Sequence, residues 1–315
     1  MAVYTSVTKK NLSLFLENYD IGALKDFEGI LEGVENTNYK ITTSQGVYIL
    51  TIFEKRVLES ELPFFIKLQN YLFDKNIKCP HPIKDRKGES INTLEKKPCV
   101  IMSFLSGKKI NNPTANHCYQ VGEQLANIHQ HTKNFSLTRQ NNLHQKFWRN
   151  IFEKCQNNNN QYNGVLETIE KELQYFEKYW PNDLPKGVIH GDVFKDNVFF
   201  VNGSLSGFID FYFACNEFYA YELAICINAW CFDKSTTFDQ AKYKSILLGY
   251  ETLRTLSPKE FDKLPILLRG ATVRILLTRL HDKLHHQKEA YVTPKDPMEY
   301  FAILKWHQKN TVFNL

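Results

Sequence analysis

His190-Gly-Asp-Val-Phe-Lys-Asp-Asn197 is the stretch on which the reading of this chain turns. Two short strand-like pieces, Gly187-Val-Ile189 and Val198-Phe-Phe-Val201, flank it, so Asp192 sits on a loop where its side chain can face a cleft. Asn197 starts the second piece and offers a neutral carbonyl oxygen. Asn202-Gly203, a strong hairpin signal, leads to a third piece, Leu205-Ser-Gly-Phe-Ile209, which ends at Asp210. Transfer of a phosphoryl group to a hydroxyl needs few protein groups: one carboxylate to orient the hydroxyl and accept its proton, and oxygen ligands for Mg²⁺. Asp192 fits the first role, and Asn197 and Asp210 fit the second.

Chance placement of His-x-Asp-x₄-Asn in 315 residues of this composition gives about 0.04 occurrences, before the hairpin and its terminal Asp are required. The bland alternative makes Asp192 and Asn197 loop-capping residues and Asp210 a helix N-cap. His190 has two readings, a chemical one beside Asp192 and a structural one in which it holds the loop by hydrogen bonds to backbone.

Outward from this segment, the first third mixes strand and helix. Leu12, Phe15, Leu16 and Tyr19 have helical spacing, with Gly22 as a stop. Residues 38–43 and 47–53 read as a hairpin across Ser44-Gln45-Gly46, residues 60–74 as a helix, and residues 99–104 as a further strand. The remainder is mainly helical, with helices expected over 114–131, 164–179, 217–232, 238–253, 258–286 and 297–309 and a surface loop from Asn157 to Gly164. The fold class is therefore α+β: a small antiparallel-sheet lobe over residues 1–105, and a larger, mainly helical lobe over 106–315 that carries the loops above.

Composition excludes several classes. At 43% apolar and 14% aromatic residues the chain is neither disordered nor a disulfide miniprotein. A net charge of +5 without a run of five like charges argues against a nucleic-acid surface. No apolar run approaches the roughly 18 residues of a membrane helix, and the opening MAVYTSVTKK lacks a secretory apolar centre. Seven scattered cysteines without a Cys-x-x-Cys pair read as buried, reduced thiols of a cytoplasmic protein.

The 190–210 segment resembles the catalytic and metal loops of the aminoglycoside-phosphotransferase-like, protein-kinase-like fold. From Ala2 to about residue 309 the chain is similar to the homoserine kinases built on that fold. Supporting stretches are Glu32-Gly-Val-Glu-Asn-Thr-Asn-Tyr39, Tyr48-Ile-Leu-Thr-Ile-Phe-Glu54, Leu62-Pro-Phe-Phe65, Gly207-Phe-Ile-Asp-Phe-Tyr-Phe-Ala-Cys215 and Asn228-Ala-Trp-Cys231. The resemblance implies two lobes with ATP between them and Mg²⁺ as cofactor. Adenine would meet Met102, Ser103 and Leu105, and a turn from Gly33 with Asn36 and Asn38 would cover the phosphates. The expected activity is phosphorylation of the side-chain hydroxyl of L-homoserine, on the route to threonine. Choline or an aminoglycoside is the alternative acceptor, and a nucleotide binder without phosphotransfer is a third reading. All three loop residues are present, against that third reading, and residues 187–315 carry 15 basic and 14 acidic groups, against a polycationic acceptor. The oligomeric state is left open.

One departure concerns the strand that usually supplies a lysine to the α- and β-phosphates. Here it carries the uncharged Thr51, as in the homoserine kinases of this type, with Lys40 or Lys55 as candidates to compensate. For the acceptor carboxylate an arginine is expected. Arg274, set among Val273, Ile275, Leu276 and Leu277, suits either that role or a buried ion pair. Tyr212 and Trp230 are the expected aromatic walls of the acceptor pocket, with core packing as their alternative.

Overall fold

The computed structural model describes residues 4–31, 36–54, 57–156, 160–233, 236–285 and 294–310. They form two compact units. Residues 1–108, 199–201 and 206–212 make the first, and residues 109–198, 202–205 and 213–315 the second.

The first unit is built on a six-stranded antiparallel sheet. Its strands are β1 (Leu24–Ile30), β2 (Thr37–Thr43), β3 (Val47–Ile52), β4 (Pro82–Ile83), β5 (Ile91–Leu94) and β6 (Lys97–Ser103). Their order is β1-β2-β3-β6-β4, with β5 also paired to β6. Period-two alternation divides the faces. Tyr39, Ile41, Leu50 and Ile52 pack with Leu12, Phe15 and Leu16 of helix α1 (Lys9–Leu16) in one core. Phe53, Val100 and Met102 pack with Leu62 and Ile66 of helix α2 (Leu62–Asp74) in another, against which Ile49 and Tyr212 also lie. The expected hairpin joins β2 to β3, closed by Thr43 N–H donating to the Gly46 carbonyl at 2.8 Å. Strand β1 has no counterpart among the expected elements. It is an edge strand with Lys25, Asp26 and Glu28 exposed, and charge on an edge blunts the alternation that would reveal it.

Helices dominate the second unit: α3 (Ala115–His131), α4 (Trp148–Gln156), α5 (Asn163–Tyr179), α6 (Tyr219–Trp230), α7 (Gln240–Glu251), α8 (Pro258–Leu284) and α9 (Pro297–Lys309). Side-chain caps from Thr114, Asp239, Ser257 and Asp296 start α3, α7, α8 and α9. Helices α3 and α7 approach through glycines. A Cβ on Gly122 would lie 2.1 Å from the Ile246 carbonyl oxygen, and one on Gly249 would lie 2.0 Å from that of Tyr119. The close approach brings His129 of α3 to Tyr250 of α7.

The remaining strands are β7 (Lys186–Ile189), β8 (Val198–Val201), β9 (Ser204–Phe208) and β10 (Cys215–Phe218). Strands β8 and β9 form the expected hairpin. Its turn residues, Asn202 at φ +48° and Gly203 at φ +77°, are both left-handed, as a type I′ turn requires. Strand β10 corrects the expectation of a helix from residue 217. Residues 215–218 pair antiparallel with β7, and α6 begins only at Tyr219. All seven cysteines are buried and free, and no described helix is long and apolar enough to cross a membrane.

Candidate active site

The loop from His190 to Asn197 belongs to the second unit, between β7 and β8, and is tied to itself by short hydrogen bonds. The Asp192 carbonyl accepts from Phe194 N at 2.8 Å and from Asn197 Nδ2 at 2.9 Å. Asn197 Nδ2 also donates to Asp192 Oδ2 at 2.9 Å. Asp192 and Asn197 are thus brought together as side chains. With its nitrogen turned onto Asp192, Asn197 has its amide oxygen left without a partner among the described residues. A free neutral oxygen beside a carboxylate is the donor chemistry that Mg²⁺ takes. Neighbouring Asp196 is exposed and paired with Lys109 and Lys295, so the loop's other carboxylate is already engaged.

The backbone of this loop is clamped from below. Glu222 of α6 is fully buried and accepts His190 N–H at 3.0 Å through Oε2 and Gly191 N–H at 2.6 Å through Oε1. Arg274 of α8, also buried, donates from Nη1 to the Gly191 carbonyl at 3.2 Å, with its guanidinium over the Phe213 ring at 5.8 Å. Gly191 is therefore held by both its N–H and its C=O. Its φ of +78°, and the 2.8 Å a Cβ would leave to the Phe213 oxygen, explain why glycine occupies the position. The His190 ring turns to the same task, Nδ1 accepting Asp192 N–H at 3.3 Å. Its buried ring helps to hold the loop.

A directional chain reaches Glu222 from the far side. Arg254 Nη1 donates to Tyr250 Oη at 3.1 Å, so the Tyr250 proton goes to His129 Nδ1 at 2.7 Å. His129 Nε2–H then donates to Glu222 Oε2 at 2.8 Å. Arg254 is balanced by Glu260 at 2.6 Å. Burial alone would raise the Glu222 carboxyl, but hydrogen bonds from His129 and the Gly191 amide hold it below the ordinary range. Burial lowers His129, outweighing its carboxylate neighbour. The pair is an ionised Glu and a neutral His. Neither residue was among the sequence candidates. The available signal was Glu222 itself, the lone charge in the otherwise apolar Tyr219-Ala-Tyr-Glu-Leu-Ala-Ile-Cys226.

One expected pocket wall is corrected. Trp230 has no exposed surface, and its Nε1–H donates to the Val193 carbonyl at 2.9 Å. It supports the loop from within the core and has no open ring face for an acceptor. Tyr212 belongs to the first unit, half-buried and edge-on to Phe53 and Phe65 at 5.1 and 5.6 Å. Arg274 has no carboxylate partner among the described residues. Arg269 and Arg279 of the same helix, by contrast, pair with Glu172 and Glu299 at 2.7 and 2.6 Å.

The first unit carries the remaining candidates. Asp210 follows β9, exposed and at φ +63°, a left-handed conformation that Asp tolerates better than most residues. Thr51 Oγ1 donates to Asn38 Oδ1 at 2.8 Å across the β2–β3 pair. Buried Asn36 accepts Glu54 N–H through Oδ1 at 3.5 Å. Lys40 is paired with Glu28 at 2.9 Å, while Gly33 and Lys55 lie outside the described residues. At the end of β6, Met102 is buried and Ser103 N–H donates to the His81 carbonyl at 2.8 Å. The backbone N–H and C=O of Leu105 have no partner among the described residues. Among those residues no cluster of three His, Cys, Asp or Glu side chains is arranged to hold a metal.

Comparison with known proteins places this geometry. The model of a family described as phosphotransferase enzymes matches residues 26–256. The chain is 48% identical over 309 residues to a homoserine kinase of Parvibaculum lavamentivorans, covering 98% of this chain and 96% of that protein. It is 47% identical to one of Rhodospirillum rubrum, with 98% and 96% covered. Among solved structures, a spectinomycin phosphotransferase with ADP and spectinomycin superposes with a TM-score of 0.72 at 16% identity, covering 96% and 95% of the two chains. A choline kinase of Cryptosporidium parvum superposes at 0.68 and 12%, again covering 96% and 95%. At these identities the structures establish the fold, which is that of the protein-kinase-like phosphotransferases, and the full-length sequence likeness establishes the family: the chain belongs to the homoserine kinases of the phosphotransferase enzyme family.

Proposed function

We propose that this protein transfers the γ-phosphoryl group of ATP to the side-chain hydroxyl of L-homoserine, giving O-phospho-L-homoserine for threonine biosynthesis. The reaction class rests on one observation, the Asp192–Asn197 pair with its amide nitrogen turned inward and its oxygen left over. The acceptor rests on the full-length likeness to homoserine kinases. In this reading Asp192 orients the homoserine hydroxyl and takes its proton as the O–P bond forms. Asn197 and Asp210 supply the amide and carboxylate oxygens for Mg²⁺, which when bound neutralises phosphate charge. Two such ligands suffice because the phosphates and water complete the shell.

Residues 1–105 act as the nucleotide lobe and 106–315 as the acceptor lobe. The unpaired Leu105 backbone groups, at the end of the strand carrying Met102 and Ser103, suit the hydrogen-bonding edge of adenine. Gly33, Asn36 and Asn38 are the candidates to cover the phosphates, with Thr51 on the strand paired to that of Asn38. Arg274, the one arginine of its helix trio without a carboxylate among the described residues, is the candidate for the homoserine carboxylate. The buried thiols support a reducing, cytoplasmic setting.

Purified protein incubated with ATP and Mg²⁺ against L-homoserine, choline, spectinomycin and L-serine tests the assignment directly. Homoserine is expected to give the highest kcat/KM. Turnover on choline or spectinomycin with none on homoserine would overturn the acceptor while leaving the phosphotransfer.

A further inference from the structure

Thr5, Thr37, Glu54 and Lys97 come from four separate parts of the first unit and meet at one carboxylate. Glu54 Oε1 accepts the hydroxyl protons of Thr5 and Thr37, both at 2.7 Å. Lys97 Nζ donates to Glu54 Oε2 and, at 2.7 Å, to Thr5 Oγ1. Thr37 Oγ1, its own proton committed to Glu54, accepts the backbone N–H groups of Tyr4 at 2.9 Å and Thr5 at 3.1 Å. Thr37 has no exposed surface, and the Glu54 side chain is only 10% exposed.

We propose that Glu54 is a positioning residue for nucleotide binding: together with Thr5 it pins Thr37, and so holds the start of β2 that presents Asn36 and Asn38 to the phosphates. The inference rests on the ATP reading above and names the groups that fix its phosphate-facing strand.

The hub has a single donor–acceptor arrangement, because chemistry fixes its ends. A carboxylate only accepts, while an ammonium and a backbone N–H only donate. No amide or imidazole takes part in these bonds, so no side-chain flip can reverse them. Burial alone would raise the Glu54 carboxyl, but bonds from Lys97, Thr5 and Thr37 hold it below the ordinary range, and it stays an acceptor.

Its place in the sheet gives the hub its task. The β2–β3 ladder ends at the Thr37–Ile52 pair, and Phe53 N–H turns instead to the Pro98 carbonyl at 2.9 Å. Beyond that pair the two chains are joined through side chains, Thr37 to Glu54 and Asn36 Oδ1 to Glu54 N–H at 3.5 Å. A charged acceptor makes hydrogen bonds roughly twice as strong as a neutral one, so it can hold a strand end that the ladder no longer holds. Side chains alternate along β2, so Thr37 lies on the side of Tyr39 and the α1 core, and Asn38 on the side of Thr51. The hub grips one face of the strand, and Asn38 stands on the other.

The test uses full-length protein and the variants Glu54→Gln, Thr5→Val, Thr5→Ser and Ile41→Val, with calorimetric titration by ADP and by adenosine and KM values for ATP and homoserine. Glu54→Gln is expected to weaken ADP binding about twentyfold and Thr5→Val about fivefold, each with a matching rise in the KM for ATP. Adenosine affinity and the KM for homoserine should stay within about twofold of the parent. Thr5→Ser keeps the hydroxyl and should bring ADP binding back to within about twofold of the parent. Ile41→Val loosens the core under the same strand without touching the hub, and controls for general destabilisation. Parent protein that binds ADP, with Glu54→Gln and Thr5→Val binding it equally well, overturns the inference and leaves the ATP reading standing. Equal losses for ADP and adenosine overturn it too, as does a loss from Ile41→Val or Thr5→Ser as large as that from Thr5→Val. Parent protein that binds neither ADP nor ATP overturns both readings. If Glu54→Gln does not fold, Thr5→Val decides alone.

Discussion

The loop of the second unit and the Asn38 amide of the first are held by opposite means. In the second, an ionised carboxylate buried under the loop takes the backbone N–H groups of His190 and Gly191, and a buried guanidinium takes the Gly191 carbonyl. In the first, the side chain that orients Asn38 is an uncharged hydroxyl, that of Thr51. The difference follows from what is held. A backbone loop needs strong acceptors at fixed points, and a charged acceptor makes hydrogen bonds roughly twice as strong as a neutral one. An amide needs only its oxygen engaged, and one neutral bond does that. The charged clamp costs more to build, because each buried ion must keep every partner.

The largest effect should come from the residue the clamp serves. Asp192→Ala is expected to lower kcat at least about a thousandfold while thermal unfolding stays within a few degrees, since the clamp bonds to residues 190 and 191 and not to the Asp192 side chain. Near-normal turnover would remove Asp192 from the reaction.

Breaking the clamp itself should reach both stability and rate. Glu222→Gln places an amide NH₂ against donors that now meet a carboxylate. A loss of about 3 kcal/mol in urea unfolding is expected, with turnover reduced at least about tenfold. A variant as stable as the parent would show that the clamp is not under load.

Gly249→Ala tests whether helix packing sets the clamp's far end. Its Cβ would meet the Tyr119 carbonyl at 2.0 Å, forcing α7 away from α3 and stretching the Tyr250–His129 bond. About 2–3 kcal/mol of destabilisation is expected, measured by urea denaturation.

Acid should expose the charged design. His129 and His307 are buried neutral, with His307 lowered from 6.5 to about 3. The unfolded chain takes up these protons first, so stability present above pH 6.5 is lost as pH falls toward the folded values. His307 alone accounts for about 2 kcal/mol by pH 5. Glu222, held below 4.5, adds a further loss at lower pH. Flat unfolding midpoints between pH 7 and pH 5 would contradict this.

The smallest effect belongs to the neutral side. Thr51→Val should cost only about 1 kcal/mol, because one neutral hydrogen bond, to Asn38 Oδ1, is lost and the side-chain volume is kept. A loss as large as that of Glu222→Gln would erase the contrast.

Much was legible in advance because it is local. The Asn202-Gly203 turn, the alternation of β2 and β3 and the helical stripes of α2 and α3 depend on neighbours within a few residues, and the structure has them where the patterns put them. The spacing from Asp192 to Asn197 is of the same kind, since five residues bring both side chains to one short loop. Strand β10 was not legible, because Cys215-Asn-Glu-Phe218 has no pattern of its own and becomes a strand by pairing with β7, 26 residues away.

The sequence by itself determined the fold class and the loop that carries Asp192 and Asn197, both written in short-range spacing and residue type, and it carried the resemblance that pointed to the family. Only the tertiary structure decided that Trp230 packs inward, that Arg274 holds a backbone carbonyl, and that Glu222, His129 and Tyr250 form one chain. The partners of a buried polar side chain come from distant parts of the chain, and burial, which makes each bond obligatory, is set only when the helices close.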